Sequence, residues 1–455
     1  MTDTFPGIIT FAFLVSLILA GVGLRARFTW IQSTLVPASL IAGLLGFTLV
    51  NLELSFGLVN SDFTVFAFHC FTLSFMSLVL TGSEPRTRQA SSIVAGGSWL
   101  SVIWVMSLVM QAMVGLAVIM LYNYLTEGDL SYFLGMIATH GFTQGPGQAL
   151  ALGGIWEQAL GIQHAVDFGL IYASAGFVVA FLVGVPMARH AIRQGIHTNK
   201  TARIDEEFLK GVMHPESKIS AGRQVTHAAN VDSLTFHLAI LGLAYVLTDQ
   251  YLKLIQPIAN TWQLGDVNLG LIFSHNLFFF HGLMVCMLLR LSIDRLGWGH
   301  LIDNDTQKRI TGTSVDLMVV ATILSIQFSL LSDYLLPILL VCVAVTLTTG
   351  LLCFGYARRL NHYPIERAVT IFGCCTGSTG SGLLLLRILD PDLSTPIAKE
   401  LAFFNVAILV LGFHILTLMA PVLPSFGLGT ISLVYLGTFL VGALALTVIT
   451  KRTLA

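Results

Sequence analysis

Residues Ile371–Asp390 read IFGCCTGSTGSGLLLLRILD, and the middle of this stretch, Cys374-Cys375-Thr376-Gly377-Ser378-Thr379-Gly380-Ser381-Gly382, holds only small and hydroxyl-bearing side chains. Strongly apolar runs flank it, at Leu335–Tyr356 and Leu401–Met419. Each Gly in a helix interior costs about 0.8–1 kcal/mol relative to Ala, so the run opposes a continuous helix. At membrane depth an irregular backbone is tolerated only where it is buried in protein or lines a watery cavity. Leu383–Leu389 is too short to span a bilayer alone. Arg367–Asp390 therefore reads as a re-entrant hairpin with its polar tip inside the membrane. A tight turn between helices packed through small residues is the alternative on this stretch alone.

The membrane setting follows from composition. The chain has 455 residues, 55% of them hydrophobic and only 10% charged, against about 25% charged in average soluble proteins. Its mean hydropathy is +0.82. These values define a polytopic integral membrane protein. A formal net charge of -1 offers no surface for nucleic acid. The six cysteines lack C-x-x-C spacing, which implies neither a disulfide framework nor a zinc site. The opening MTDTFPG has no basic n-region and no cleavage site before its apolar run, so it begins a first transmembrane helix and not a removed signal. H-E-x-x-H, G-x-S-x-G and G-x-x-x-x-G-K-[ST] are absent, and no enzyme is expected.

An apolar window of about 19 residues predicts spans at Gly7–Leu24, Ser33–Val50, Phe63–Leu80, Gly97–Leu121 and Asp167–Met187, with a Gly-rich segment Tyr132–Gly154 before the last. The second half repeats the pattern at Leu234–Tyr251, Asn268–Leu291, Gly312–Leu331, Leu335–Tyr356, the opening hairpin and Leu401–Met419; Leu428–Ile449 follows. With the N-terminus outside, all of the 23 basic residues except Lys253 fall in inner loops. The outer turns carry Glu53, Asp62, Glu127, Asp129, Glu157, Asp167, Asp249, Asp266 and Asp333. This asymmetry survives only if both Gly-rich segments re-enter, the first from outside and the second from inside.

The expected fold is an all-α polytopic membrane protein with an inverted-topology repeat, each copy holding five transmembrane helices and one re-entrant hairpin. Residues 1–189 and 233–420 form the repeats, 190–232 a cytoplasmic linker, and 421–455 an extra C-terminal helix. Broken helices meeting near the midplane in inverted repeats are a recurring plan of secondary transporters.

The first hairpin reads GMIATHGFTQGPGQALALGG over Gly135–Gly154. Pro146 and its glycines interrupt the helix, and broken ends leave N–H and C=O groups for an anion or a cation. Packing glycines alone would be the plain structural account. Two readings of Arg387 stand open: a bidentate partner for a carboxylate, or a side chain snorkelling to the inner surface. Asn405 offers a carbonyl to a cation or to a neighbouring helix. His69, His237, His275, His281 and His414 read as packed, hydrogen-bonded residues, Trp99, Trp104 and Trp262 as belt residues, and Asp316 and Glu400 as interfacial charges.

The chain resembles the bacterial sodium/glutamate symporter family. GFVVAFLVGVPMARHAIRQG, Gly176–Gly195, is similar to the family helix ending in GGP-x-AR, with Gly184, Pro186, Ala188 and Arg189 in place. The first tip keeps Gly145, Gly147 and Ala149 of a GGHGTGAAW-type motif, with Gln144 for histidine and Pro146 for threonine. The second keeps Gly377 and Thr379 of GATPTA-x-AN, with Ser381 for the second threonine and leucine, near Leu385, at the asparagine position. The resemblance implies Na⁺-coupled uptake of a small anionic amino acid or carboxylate, a homodimer in the inner membrane, and a moving hairpin-bearing domain. Proposed solute contacts are Thr143, Gln144, Gly145, Gly147, Gln148, Ser378, Thr379, Ser381 and Arg387. Candidate Na⁺ ligands are Ser174, Thr376, Ser378 and Asn405, with tip carbonyls, because hard cations want oxygen. An H⁺-coupled exchanger using His140 or Asp167, and a non-transporting sensor, are the other readings.

Overall fold

The computed structural model describes residues 5–81, 90–199, 206–216, 222–264, 267–391 and 393–451. Its main helices are α1 (Phe5–Arg27), α2 (Ala38–Asn51), α3 (Asn60–Leu80), α4 (Ala90–Thr126), α5 (Ala138–Phe142), α6 (Pro146–Leu160), α7 (Ala165–Gln194) and α8 (Ser233–Ala259). The remainder are α9 (Phe278–Arg295), α10 (Asn304–Leu324), α11 (Leu335–Ala357), α12 (Pro364–Thr376), α13 (Thr379–Leu389), α14 (Ile397–Leu411) and α15 (Leu428–Ile449). Among the described residues the only β structure is the ladder of Gln263–Leu264 with Val267–Asn268. Helices dominate because a bilayer offers backbone groups no water, and a helix satisfies them within the segment.

Among the described residues eight helices are long and apolar enough to span: Gly7–Arg27, Asn60–Leu80, Ser92–Thr126, Ala165–Gln194, Ser233–Ala259, His275–Arg295, Leu335–Ala357 and Leu428–Ile449. A ninth candidate is the bent pair Ile397–Leu411 and His414–Ser425, which turns by 45°. The bend falls at Gly412 and Phe413, where the α-helix gives way to a π turn over His414–Met419. The expected straight span Leu401–Met419 is corrected to that extent.

Three other expected spans differ. Ser33–Val50 is realised as the 14-residue α2, about 21 Å long and short of the roughly 30 Å hydrocarbon core. Gly312–Leu331 begins earlier and stops at Leu324. Asp303 caps that helix by accepting from Thr306 N (2.8 Å), and its first turns carry Asp305, Lys308 and Arg309. Asn268–Leu291 opens irregularly, because the Asn268 side chain accepts from Gly270 N and holds a 3₁₀ turn before α9. Of the charges behind the orientation, Arg86, Arg88, Lys200, Arg203, Lys218, Asp266 and Arg452 lie outside the described residues.

The chain divides into two compact units, and each draws on both halves of the sequence. One comprises Met1–Val22, Ile41–Pro85 and Val212–Ser325, the other Gly23–Leu40, Arg86–Gly211 and Ile326–Ala455. In the first, Asn60 Nδ2 donates to Leu324 O (2.7 Å) and Ser77 Oγ to Gln307 Oε1 (2.6 Å), joining α3 to α10. His237 meets Ser233 O at 2.6 Å and accepts from Asp303 N at 2.9 Å, a packed histidine as expected.

The second unit holds α4–α7 and α11–α15. Its core gathers Trp99, Ile103, Trp104, Phe372, Cys375 and Phe404. Trp99 and Trp104 are thus not belt residues: both are buried, and Trp104 meets the Phe404 ring edge-on at 6.1 Å. Gly96 and Gly97 let α14 come close to α4: a Cβ on Gly96 would strike the Glu400 carboxyl, and one on Gly97 the Phe403 ring. Trp262, by contrast, is exposed.

Candidate functional site

Both Gly-rich breaks lie in the second unit. In the first, α5 ends at Phe142 and α6 starts at Pro146. Gly145 between them has φ 84°, a left-handed value that glycine adopts without a Cβ clash, and Pro146 occupies the first helical position. In the second, Gly377 follows α12, and Ser378 caps α13 by accepting from Ser381 N (3.3 Å). The arms α12 and α13 lie side by side: a Cβ on Gly373 would sit 2.8 Å from Gly382 Cα. The segment is thus two helices joined by a short turn at Gly377–Ser378 and packed through small residues.

Helix α7 brings the tips together. A Cβ on Gly141 would sit 2.7 Å from Ala173 N, so α5 rests on α7. A Cβ on Gly176 would strike Thr376 O and lie 3.3 Å from Phe142 Cα, so this glycine borders both tips. The position of a Gly145 Cβ is 3.8 Å from Gly377 O.

A fully buried glutamine on α4 joins them directly. Gln111 Nε2 donates toward Cys375 O (2.8 Å), Thr349 Oγ1 (2.9 Å) and Ser107 Oγ (3.1 Å). Its Oε1 accepts from Thr143 Oγ1 at 2.6 Å, and that hydroxyl also lies 3.2 Å from Cys375 O. Sequence reasoning passed over Gln111, Ser107 and Thr349. The available signal was a lone glutamine near the middle of a 37-residue apolar helix.

Around this junction the buried Gln144 Nε2 and Ser174 Oγ have no hydrogen-bond partner among the described residues, and Gln148 and His140 face one another on the first tip. An unpaired buried polar group costs about 1–3 kcal/mol, which a ligand that pairs it would recover. Gly147 and Gln148 open α6 and Thr379 opens α13, where the first N–H groups have no partner within the helix.

The other expected residues are placed as follows. Thr379 Oγ1 donates to Asn405 Oδ1 at 2.9 Å, linking the second tip to α14. Ser378 Oγ and Ser381 Oγ are 3.5 Å apart. Thr376 Oγ1 donates back to Phe372 O (2.8 Å). Arg387 is exposed in the last turn of α13, about 12 Å along the helix from Thr379. His140 is buried edge-on to Trp156, and Asp167 lies in the first turn of α7, 3.8 Å from His164 Nδ1. Among the described residues no group of three or more His, Cys, Asp or Glu side chains is gathered for a metal.

Charge collects instead at the base of the second hairpin. Glu400, expected to be interfacial, is buried, and it takes a two-pronged pair from Arg367, Nη2 to Oε1 at 2.6 Å and Nε to Oε2 at 2.8 Å. The reason is Gly96 on α4, whose missing side chain leaves the space that the carboxylate fills. Thr198 N donates to Glu366 Oε1 (2.6 Å) and Asn199 Nδ2 to Asp390 Oδ1 (3.0 Å), so the chain leaving α7 touches both arms.

Burial pushes the Asp390 carboxyl up, but hydrogen bonds from Thr395, Ser394 and Asn199 outweigh it and hold the group below its usual range. A depressed carboxyl adds stability above its unfolded value, about 3.9, and loses it as pH falls through the folded value. Asp390→Asn is therefore expected to melt below the parent at pH 7, with the gap closing below about pH 4. A gap unchanged by acid would deny the carboxylate that role.

Apolar spanning helices and two broken-helix tips meeting in one unit define a multi-pass membrane protein of transporter type. Residues 4–380 match the sodium/glutamate symporter family model, and the chain belongs to that family. The match takes in the whole first Gly-rich segment and stops at Gly380, in the first turn of α13. No curated protein matches the chain.

Proposed function

We propose that the protein is a secondary active transporter that couples Na⁺ entry to symport of a small organic anion, glutamate or a related amino acid or carboxylate, by alternating access. The observation that carries this reading is the meeting of two broken-helix tips beside unpaired Gln144 Nε2 and Ser174 Oγ. Family membership supports the symport class and Na⁺ as the coupling ion. The N-terminal ends of α6 and α13 carry partial positive charge suited to carboxylate groups. Ser174, Thr376, Ser378, Asn405 and the tip carbonyls supply oxygen for Na⁺. Arg387 sits too far along α13 to join this set in the present arrangement, so the solute contacts reduce to Thr143, Gln144, Gly145, Gly147, Gln148, Ser378, Thr379 and Ser381.

The charge asymmetry of the loops supports two re-entrant hairpins in inverted repeats, with the N-terminus outside and the linker and C-terminus cytoplasmic. The family likeness supports an inner-membrane homodimer with the hairpin-bearing unit as its moving part.

Uptake into proteoliposomes under separately imposed Na⁺ and pH gradients tests the reading. Labelled glutamate and related carboxylates are expected to accumulate with the Na⁺ gradient. Accumulation with the pH gradient alone would overturn Na⁺ coupling and bring His140 or Asp167 forward. Gln144→Ala and Thr379→Ala are each expected to cut uptake by about tenfold or more, the equivalent of one lost hydrogen bond to a charged group. Unchanged uptake in both variants would move the site elsewhere.

A further inference from the structure

We propose that Gln111 is the positioning residue that holds the two hairpin tips in register, so that they behave as one body. The inference rests on reading the tips as the solute site, but its geometry is independent of the solute. Gln111 stands on α4, outside both hairpins, and is fully buried. Its amide uses opposite ends on the two tips: Oε1 accepts from the Thr143 hydroxyl of the first, and Nε2 donates to the Cys375 carbonyl of the second.

Three acceptors surround an NH₂ group that has two protons, so Cys375 O, Thr349 Oγ1 and Ser107 Oγ share them. The Thr143 hydroxyl, with its single proton directed at Oε1, likewise lies within 3.2 Å of Cys375 O. Each tip thereby senses the other through one side chain. Cys375 lies in the last turn of α12, where the carbonyls lack helix partners, and Thr143 lies just past the end of α5, so this link bears on their placement more than it would in mid-helix.

No other side chain of similar size reproduces the pattern. Glutamate keeps an acceptor for Thr143 but has no N–H for Cys375 O, and it would bring an unpaired charge. Methionine fills the space and makes neither bond. Asparagine is one methylene too short to reach both tips.

Hydrogen–deuterium exchange of the full-length protein in lipid nanodiscs tests the proposal. Gln111→Met is expected to speed exchange about tenfold in the amides of both tips, 143–149 and 377–382, the effect of about one buried hydrogen bond. Thr143→Val is expected to do the same, and the double variant to add little, because one link joins the tips. Thr349→Val removes only the α11 anchor and is expected to leave both tips near parent rates. Gln111→Glu should resemble Gln111→Met and not the parent. Faster exchange at one tip only, or equal acceleration throughout α4, α7 and α11, would overturn the proposal. If Gln111→Met fails to fold, Thr143→Val alone decides, through the exchange of 377–382 across the junction. A parent protein that carries no anion in vesicles would count against the transport reading and leave the exchange result standing.

Discussion

Replacing Glu400 with alanine is expected to cost about 3–5 kcal/mol of stability, because it leaves the Arg367 guanidinium buried without its counter-charge. Both partners are almost fully enclosed, and the pairing is bidentate at 2.6 and 2.8 Å. The third guanidinium direction is fixed by the bond from Arg367 Nη1 to His362 O at 2.7 Å, so the cation cannot swing toward water without breaking it. The double variant Arg367→Met with Glu400→Leu is expected to lose far less, since an apolar pair of similar volume replaces both charges. Thermal unfolding in one detergent compares both variants with the parent. A double variant as unstable as Glu400→Ala would show that shape, and not charge, holds this contact.

The second large effect is expected at Gly176. An alanine there directs its Cβ at the Thr376 carbonyl, a backbone atom with no rotamer to yield, and also at Phe142 Cα. Overpacking of this kind typically costs about 1–3 kcal/mol. It would force the two tips apart where they meet, so uptake should fall further than stability alone accounts for, by about tenfold or more at a temperature where the protein stays folded. Gly437→Ala on α15 is the control. Nothing lies within 4 Å of its Cβ position, and the change should be neutral or slightly stabilising. Equal behaviour of the two variants in uptake would remove Gly176 from its role between the tips.

Much of the fold was legible because membrane helices write themselves as apolar runs. The charged loops and the two Gly-rich breaks were also plain, since Gly145, Pro146, Gly377 and Gly380 disrupt a helix through local backbone terms. What escaped was whatever depends on a partner distant in sequence. Trp99 and Trp104 have the composition of belt residues and sit in a core, because Gly96 and Gly97 let α14 approach α4. Glu400 looked interfacial for want of a visible counter-ion, and Arg367 lies 33 residues away on another helix. Of the proposed site, Thr143 and Gly145 came to lie beside Cys375 and Gly377. Arg387 did not, because helix geometry carries it along α13 and out to the surface. Gln111 was missed because no local pattern marks a single amide in an apolar helix.

The hydrogen bonds of Gln111 have a consequence for biogenesis. Its acceptor at Cys375 is 264 residues further along the chain, and Thr349 is 238 residues further. At about 5–20 residues per second, α4 must wait on the order of tens of seconds for them while the intervening chain is made. During that interval the Gln111 amide and the first tip lie in the membrane with part of their hydrogen bonding unmet, although lipid offers none. The first half of the chain is thus an incomplete object when it is inserted, in need of shelter from the insertion machinery or from local water. Its two compact units close only when the second half arrives, because each is built from both.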